Sequence, residues 1–339
     1  MRNLLLFLTG ILLAAGEVAC TNGESAAPPE SGGTANLAVP TDTTPAAKGL
    51  DTALYNRNLE RMANGDESGR WPVRGPYPLE GAVLPFYRVV AFYGNFYCTG
   101  MGILGEFPPP VVLQKLRAQV REWEKADTLT PVLPAVHYIA VTAQSSPCDG
   151  TYRARMPEKE IRKAMAMADS LGGLCFLDVQ VGLSTLQQEL PRLLPYLRSA
   201  HVHLGIDPEF SMKSGQRPGT VIGSFDAADI NYVTGVLATL VKENQLPPKI
   251  LVVHRFTQAM LTNSRNILTR PEVQVVINMD GFGSPDLKRS SYLHFVSRQP
   301  VQFTGFKVFY KNDAKSGGRI MSPAEMLQLK PRPVYIQYQ

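Results

Sequence analysis

The chain has 339 residues and a formal net charge of +5, from 34 lysines and arginines against 29 aspartates and glutamates. The basic residues are scattered rather than gathered into runs, which argues against a nucleic-acid groove and a polybasic membrane patch. Once an amino-terminal leader and linker are set aside, roughly 290 residues remain, the length of one large domain or two small ones.

The amino terminus predicts export from the cytoplasm. A charged start is followed by an apolar stretch, residues 4–15, that is short for a membrane span and typical of a signal peptide. Small residues and Cys20 then resemble the bacterial lipoprotein signal, in which a peptidase cuts before a lipid-modified cysteine. Glu17 departs from that pattern and leaves open cleavage after Gly16, which would release a secreted protein. We expect a signal peptide over residues 1–19, lipid on Cys20 and an envelope location, at the outer membrane if the bacterium has two membranes.

Residues 20–49 consist mainly of Thr, Ala, Pro, Gly and Ser, with almost no large apolar side chain. Such a segment cannot bury enough surface to offset its ordering entropy. We predict a flexible tether here and a folded domain over residues 50–339.

The four cysteines predict one disulfide. Cys20 is assigned to lipid, and Cys175 lies in an apolar run typical of a buried free thiol. Cys98 and Cys148 follow the first and second predicted strands, whose loops meet at one rim of a barrel. Because an exported protein folds in an oxidising compartment, we predict a Cys98–Cys148 disulfide.

Eight short runs rich in β-branched and aromatic residues recur along the domain, and most are nearly continuous apolar stretches, as in strands covered on both faces. They are Val89–Gly94, Pro134–Thr142, Cys175–Val181, Val202–Asp207, Ile250–Phe256, Val273–Asp280, Phe303–Tyr310 and Val334–Gln337. Segments with helical patterns lie between them, among them Val111–Lys125, Glu158–Leu171, Leu186–Leu197 and Asp229–Glu243. The alternation predicts an α/β fold, a single (β/α)8 TIM barrel.

Two parts of the chain need a separate interpretation. Residues 51–85 are expected to cover the bottom of the barrel or to complete its outer ring. Gly100–Gly105 spells G-x-G-x-x-G, the phosphate loop of an open doubly wound sheet. Five residues separate this motif from the strand, and Pro108-Pro109-Pro110 delays the next helix, so a barrel-rim loop is the better interpretation.

The alternation of side chains along barrel strands predicts which residues face the axis. Apolar residues of one parity face the helices, which leaves polar side chains pointing inward late in strands three to six, where barrel enzymes carry their sites. These are Asp178, Gln180, Asp207, His254, Asn278 and Asp280, with Glu209 just beyond strand four. His137 and Lys307 are interpreted as layer-filling or loop-bracing residues, and the His201-x-His203 pair as structural.

Three segments resemble barrel glycoside hydrolases, in which acids at the ends of strands four and six flank the sugar. They are Gly205-Ile206-Asp207-Pro208-Glu209, Asn278-Met279-Asp280-Gly281 and Phe92-Tyr93-Gly94. The span from about Leu84 to Gln339 also resembles uncharacterised bacterial barrel lipoproteins. Strand four lacks the chitinase series of spaced aspartates, because Leu204 and Gly205 stand where acids would be needed.

The resemblance implies a glycoside hydrolase that acts on polysaccharide outside the cytoplasm. Asp207 would be the nucleophile or general base and Asp280 the general acid, with Glu209 and Asp178 shifting their pKa values apart. Substrate contacts are expected from Tyr93, Asn95, Gln180, His254, Asn278 and Tyr310, and sugar stacking from Tyr93, Phe96, Tyr97, Phe282 and Tyr310.

Two other functions stay open. One is a catalytically silent barrel that binds glycan or peptidoglycan at the cell surface. The other is a metal-dependent hydrolase that uses His254, Asp178 and Asp280, although the histidine pair usual on strand one of such barrels is missing. We expect no cofactor, no metal and no nucleic acid. The expected partners are a carbohydrate and, through the lipid, a membrane.

Overall fold

A computed structural model describes residues 49–339. Its centre is a closed barrel of eight parallel strands: β1 (Arg88–Gly94), β2 (Val132–Ala143), β3 (Leu174–Val179), β4 (Val202–Ile206), β5 (Lys249–Arg255), β6 (Val273–Met279), β7 (Phe303–Val308) and β8 (Tyr335–Tyr338). Each strand pairs with the next, and β1 closes the barrel by pairing with both β2 and β8. The predicted (β/α)8 fold and its eight strands are confirmed, and the open doubly wound sheet is excluded.

The helices flank the barrel and follow the predicted segments closely. They are α1 (Thr52–Ala63), α2 (Ile103–Glu106), α3 (Pro109–Ala126), α4 (Glu158–Asp169), α5 (Leu186–Leu197), α6 (Ala227–Asn244), α7 (Pro285–Tyr292), α8 (Tyr310–Gly317) and α9 (Pro323–Met326). The loop from β5 to β6 departs from the alternation, since its regular structure is the short strand Leu261–Thr262 and a single 3-10 turn, Ser264–Asn266. In the part of the chain that is described, no helix is long and apolar enough to cross a bilayer.

Alternate strand residues enter two separate apolar layers, as the parity argument predicts. On β4, Val202, Leu204 and Ile206 pack with the helices in the outer layer. On β5, Ile250 and Val252 point inward and join the inner layer. Because both faces of each strand are covered, polar side chains that point inward are removed from water and must find partners inside the barrel.

The segment before β1 closes the bottom of the barrel. Tyr55, Leu59 and Met62 on α1, together with Trp71 and Leu84, pack against the inward residues at the amino ends of the strands. The composition of residues 51–85 left this role undecided, and the structure assigns it to the floor. The floor seals one end of the barrel, so access to the interior is from the carboxyl ends of the strands.

The predicted Cys98–Cys148 disulfide is wrong, because Cys98 is a free, buried cysteine. Cys98 is held in a tight turn after β1, where its amide donates to the Asn95 carbonyl. The loop after β2 returns as a short antiparallel strand, Arg153–Arg155, and Thr151 accepts a hydrogen bond from the Leu183 amide in the loop after β3. This hairpin is therefore hydrogen-bonded to the loop after β3. Cys175 is free and buried, as expected, and Cys20 lies outside the described residues.

Candidate functional site

Each barrel strand, or the residue that directly follows it, places a polar side chain inside the carboxyl end of the barrel. These residues are Tyr93, His137, Asp178, Asp207, His254, Asn278, Asp280, Lys307 and Gln337. All are buried, with exposures between 0% and 8%. Such a concentration of buried charge is costly unless the charges are paired, so the pairing shows how the site is organised.

Asp178 on β3 is the centre of the lower part of the site. The Tyr93 hydroxyl donates a 2.8 Å hydrogen bond to Oδ2, and the Nε2 atoms of His137 and His254 lie 3.5 Å from Oδ1 and Oδ2, respectively. Burial raises the pKa of this carboxyl, but the charge of His254 and the contacts with both imidazoles outweigh burial and hold the pKa well below its usual value. Asp178 is therefore ionised and fully buried, and it holds the three side chains that contact it in place.

The upper part contains a chain of alternating charges. His254 Nδ1 lies 2.9 Å from Asp280 Oδ2, and Lys307 Nζ lies 2.9 Å from Asp280 Oδ1. Burial disfavours the His254 imidazolium, yet Asp178 and Asp280 raise its pKa to about 10. Burial likewise raises the pKa of Asp280, but Lys307 and His254 outweigh it and lower that pKa below its usual value. Two carboxylates and two cations thus balance in this cluster.

Asp207 has neutral partners. Gln180 Nε2 donates to its Oδ2 at 3.2 Å and the Glu209 amide donates to Oδ1 at 3.0 Å, so both oxygens are occupied. Burial is the main cause that raises its pKa to about 6; Asp280 and Asp178 add to the rise, and His254 and Lys307 oppose it. Asp207 caps the 3-10 turn Pro208–Phe210 and so fixes the position of Glu209.

Glu209 is the half-buried carboxyl at the rim. Burial, Asp207 and Asp280 together raise its pKa well above the usual value. Within residues 49–339, no hydrogen bond or ion pair reaches its carboxyl group, so that group is available to a ligand. Enzymes often place two carboxyl groups in different environments, so that one has a raised pKa and serves as an acid while the other stays ionised and serves as a base.

Two residues in this site were interpreted from sequence as structural. Lys307 pairs with Asp280, and its Nζ lies 4.0 Å above the Tyr93 ring. His137 faces Asp178. The signal for Lys307 was present in the sequence, because Phe306 and Val308 on either side are apolar and face the helices.

Several predicted substrate contacts are engaged in other interactions. Asn95 is buried and donates to the Ile139 carbonyl, which secures the loop after β1. Tyr310 stacks on Tyr338 and bonds to Gln119 of α3, so it points into the helix layer rather than the barrel. Phe96 stacks on Tyr138.

Among the predicted rim aromatics, Phe282 lies beside Phe309, with ring centroids 6.1 Å apart. Lys307 Nζ is 4.9 Å from the Phe309 ring. Asn278 and Gln180 lie in the site, but both contact protein groups. Asn278 Nδ2 lies 3.5 Å from both His254 Nδ1 and Gln337 Oε1. His203, as expected, is structural: it is buried and accepts the Ile250 amide proton.

Three side chains have the chemistry and spacing of a metal site. Ligand atoms of His137, Asp178 and His254 all lie within 4.8 Å of one another, and all three residues are fully buried. Gly205 lies against them, since a Cβ atom there would be 2.4 Å from Asp178 Oδ1 and 2.5 Å from His137 Nε2. A side chain at position 205 is therefore incompatible with this arrangement.

The comparisons with known proteins add little beyond the fold. No protein-family model matches the chain, and no curated protein matches it. Among solved structures it is similar to a cellulase, Cel5C_n, with 14% identity and a TM-score of 0.38 over 65% of this chain and 65% of the cellulase. It is also similar to the dihydropteroate synthase of Burkholderia cenocepacia complexed with 7,8-dihydropteroate, with 10% identity and a TM-score of 0.37 over 75% and 86%. At these values the likeness carries no argument about function, and the closed strand pairing itself establishes the (β/α)8 fold.

Proposed function

We propose that this barrel hydrolyses glycosidic bonds, with Glu209 as the general acid and Asp280 as the ionised carboxylate. The observation that carries the proposal is the contrast between these two acids. Asp280 is held between two cations, His254 and Lys307, whereas Glu209 has no cationic partner and lies beside Asp207. A protonated and an ionised carboxyl at one barrel mouth are the two groups that glycoside hydrolysis requires.

This proposal revises the roles expected from the sequence. Asp207 was expected to be nucleophile or base, but its hydrogen-bond partners are neutral and its pKa is raised to about 6, whereas the pKa of Asp280 is lowered. Asp280 was expected to be the acid, but its cationic partners keep it ionised. Asp207 becomes a positioning residue that holds Glu209 and raises its pKa.

The proposed reaction balances as the addition of one water. Glu209 gives its proton to the glycosidic oxygen as the bond from that oxygen to the anomeric carbon breaks. In an inverting course, Asp280 takes a proton from the water that attacks the anomeric carbon. In a retaining course, Asp280 attacks first, and water, deprotonated by Glu209, then releases the sugar. The configuration of the first product, read by NMR, distinguishes the two courses.

The substrate and location are proposed from the sequence. The leader-like start and the tether composition support action outside the cytoplasm, on envelope or environmental polysaccharide, by a chain anchored through Cys20. Phe282, which is half-buried and lies beside the buried Phe309 ring, offers an apolar face two residues from Asp280 on which a sugar ring can pack.

Purified protein incubated with a panel of polysaccharides is expected to produce new reducing ends on at least one of them. The Glu209→Gln variant, prepared in parallel, is the matched control for a contaminating hydrolase. Binding to a glycan without new reducing ends would reject catalysis and favour the silent glycan-binding barrel.

The pH profile is expected to respond to Asp207. Activity should fall at low pH as Asp280 is protonated, and at high pH as Glu209 loses its proton. Because the Asp207 charge raises the pKa of Glu209, Asp207→Asn should move the alkaline limb to lower pH. The shift should be largest above pH 6, where Asp207 itself is ionised. Profiles of kcat/KM for both proteins measure it, and an alkaline limb that stays in place or rises would contradict the role given to Asp207.

A further inference from the structure

The lower part of the site has polar atoms that the proposed hydrolysis does not use. His137 Nε2, His254 Nε2 and Asp178 Oδ1 are buried and have no hydrogen-bond partner. Buried polar atoms in folded proteins are almost always satisfied, so three such atoms that face one another call for an explanation.

From this convergence we propose that His137, His254 and Asp178 bind a divalent first-row transition metal ion such as Zn²⁺. The contacts from Asp178 to the two Nε2 atoms are 3.5 Å, longer than the 2.7–3.2 Å usual for a hydrogen bond. Metal bonds of about 2.0–2.1 Å at a tetrahedral angle separate two ligand atoms by about 3.4 Å. The two distances end on different oxygens of Asp178, and each of them fits a pair of ligands around one ion better than a hydrogen bond; the three ligand atoms together lie within 4.8 Å of one another.

The outer contacts orient both imidazoles toward the same point. His254 Nδ1 is 2.9 Å from Asp280 Oδ2, the carboxylate–histidine contact that orients a metal-binding ring. The ion takes the place of the proton that Nε2 carries in the metal-free imidazolium, so binding releases one proton. His137 Nδ1 is 2.5 Å from the Tyr335 hydroxyl, which accepts the ring N–H when Nε2 binds the ion. Gly205 permits this arrangement because it has no side chain, since a Cβ atom there would be 2.4 Å from Asp178 Oδ1 and 2.5 Å from His137 Nε2.

The donor set selects the kind of ion. Two imidazoles and one carboxylate suit zinc and its first-row neighbours, whereas Mg²⁺ and Ca²⁺ prefer oxygen ligands throughout. Three protein ligands leave a fourth position open, as in metal sites that bind water or a substrate oxygen. The inference does not depend on glycosidic activity, because metal binding is measured without a substrate.

The first test uses the wild-type protein. After dialysis against a chelator, titration with Zn²⁺ in a calorimeter should give one equivalent per chain, and Co²⁺ should give visible absorption bands of a low-symmetry site. Zn²⁺ should compete with Co²⁺ and remove these bands, whereas Mg²⁺ should not. The absence of stoichiometric binding by both Zn²⁺ and Co²⁺ would overturn the proposal, whatever the variants do.

The second test assigns the site. His137→Ala and His254→Ala should each weaken Zn²⁺ binding by more than the 10–100-fold that loss of an outer contact costs. Tyr335→Phe, which keeps the ring and removes the outer contact, should weaken it about tenfold. The matched control is the double variant His201→Ala, His294→Ala, which removes two exposed imidazoles and should bind like wild type. If His137→Ala and His254→Ala do not fold, Tyr335→Phe decides. Unchanged affinity in the folded site variants, or a loss confined to the control, would place the ion elsewhere and reject the proposal.

Discussion

Asp280→Asn is expected to lower kcat about a thousandfold, the range found when an acid or base that acts in the transition state is removed. Asparagine keeps the shape of the side chain but cannot take a proton from water or attack the anomeric carbon. Because Lys307 and His254 lose their shared carboxylate, kcat should be calculated per folded molecule, with the folded fraction measured by circular dichroism.

Glu209→Gln is expected to cause a loss of similar size on natural glycans, but with a different substrate dependence. A glycoside whose leaving group is already acidic, such as a nitrophenyl glycoside, needs no proton from Glu209. In the inverting course it should therefore recover most of the activity in Glu209→Gln and none in Asp280→Asn. In the retaining course Glu209→Gln should release nitrophenol in a rapid burst and then turn over slowly, because Glu209 is also the base of the second step.

The control for both variants is Asp286→Asn, which makes the same change of charge at a carboxyl that is 94% exposed. It should behave like wild type. Turnover near the wild-type level in both Asp280→Asn and Glu209→Gln would show that the pair is wrong and would return attention to Asp207 and Asp178.

Glu189→Gln is expected to lower the free energy of unfolding by about 3 kcal/mol, as removal of one partner from a buried ion pair does. The Glu189 side chain is fully buried on α5, and it accepts from Arg153 Nε at 2.8 Å, Arg155 Nε at 2.7 Å and Ser184 Oγ at 2.5 Å. These contacts attach α5 to the hairpin after β2. Loss of the charge leaves the two guanidinium groups partly uncompensated at the side of the barrel.

The pH dependence of this contribution follows from the lowered pKa of Glu189. Burial raises the pKa, but Arg155, Ser184 and Arg153 outweigh it and bring it below its usual value. The stabilisation is therefore fully present above the pKa of the unfolded chain and is lost as the pH falls through the lower folded pKa. Wild type and Glu189→Gln should thus differ most at neutral pH and converge in acid.

Urea unfolding at neutral and acidic pH measures both effects. Glu122→Gln is the matched control, because its pair with Lys125 is on the surface and contributes little. A difference below about 1 kcal/mol between wild type and Glu189→Gln at neutral pH would show that the buried cluster does not stabilise the attachment of α5.

The sequence alone predicted the barrel because the information for it is local. Strands such as Val273–Met279 are covered on both faces, which makes them continuous apolar runs, and the helices between them keep their own periodicity. Parity within a regular strand then placed Asp178, His254 and Asn278 inside the barrel correctly, since each apolar neighbour of these residues faces the helices.

Parity gave no clear answer where the strand itself is irregular. In β2 the register shifts between Ile139 and Val141, so that Ala140 and Val141 both join the outer layer. Counting along the strand across this bulge reverses the apparent direction of the side chains beyond it, so the direction of His137 stayed uncertain from the sequence. The bulge depends on pairing with β3, which no local pattern in β2 records.

The charge states of the acids, on which the proposed roles depend, were decided by the tertiary structure alone. Asp207 and Asp280 are both aspartates at the ends of barrel strands, and nothing in their sequence neighbourhoods separates them. They differ because Lys307 and His254 reach Asp280 from β7 and β5, whereas Asp207 is bonded by Gln180 and its own loop. Sequence thus determined which side chains enter the barrel, whereas their charge states depend on partners that only barrel closure brings within a few ångströms, where electrostatic interactions are strong.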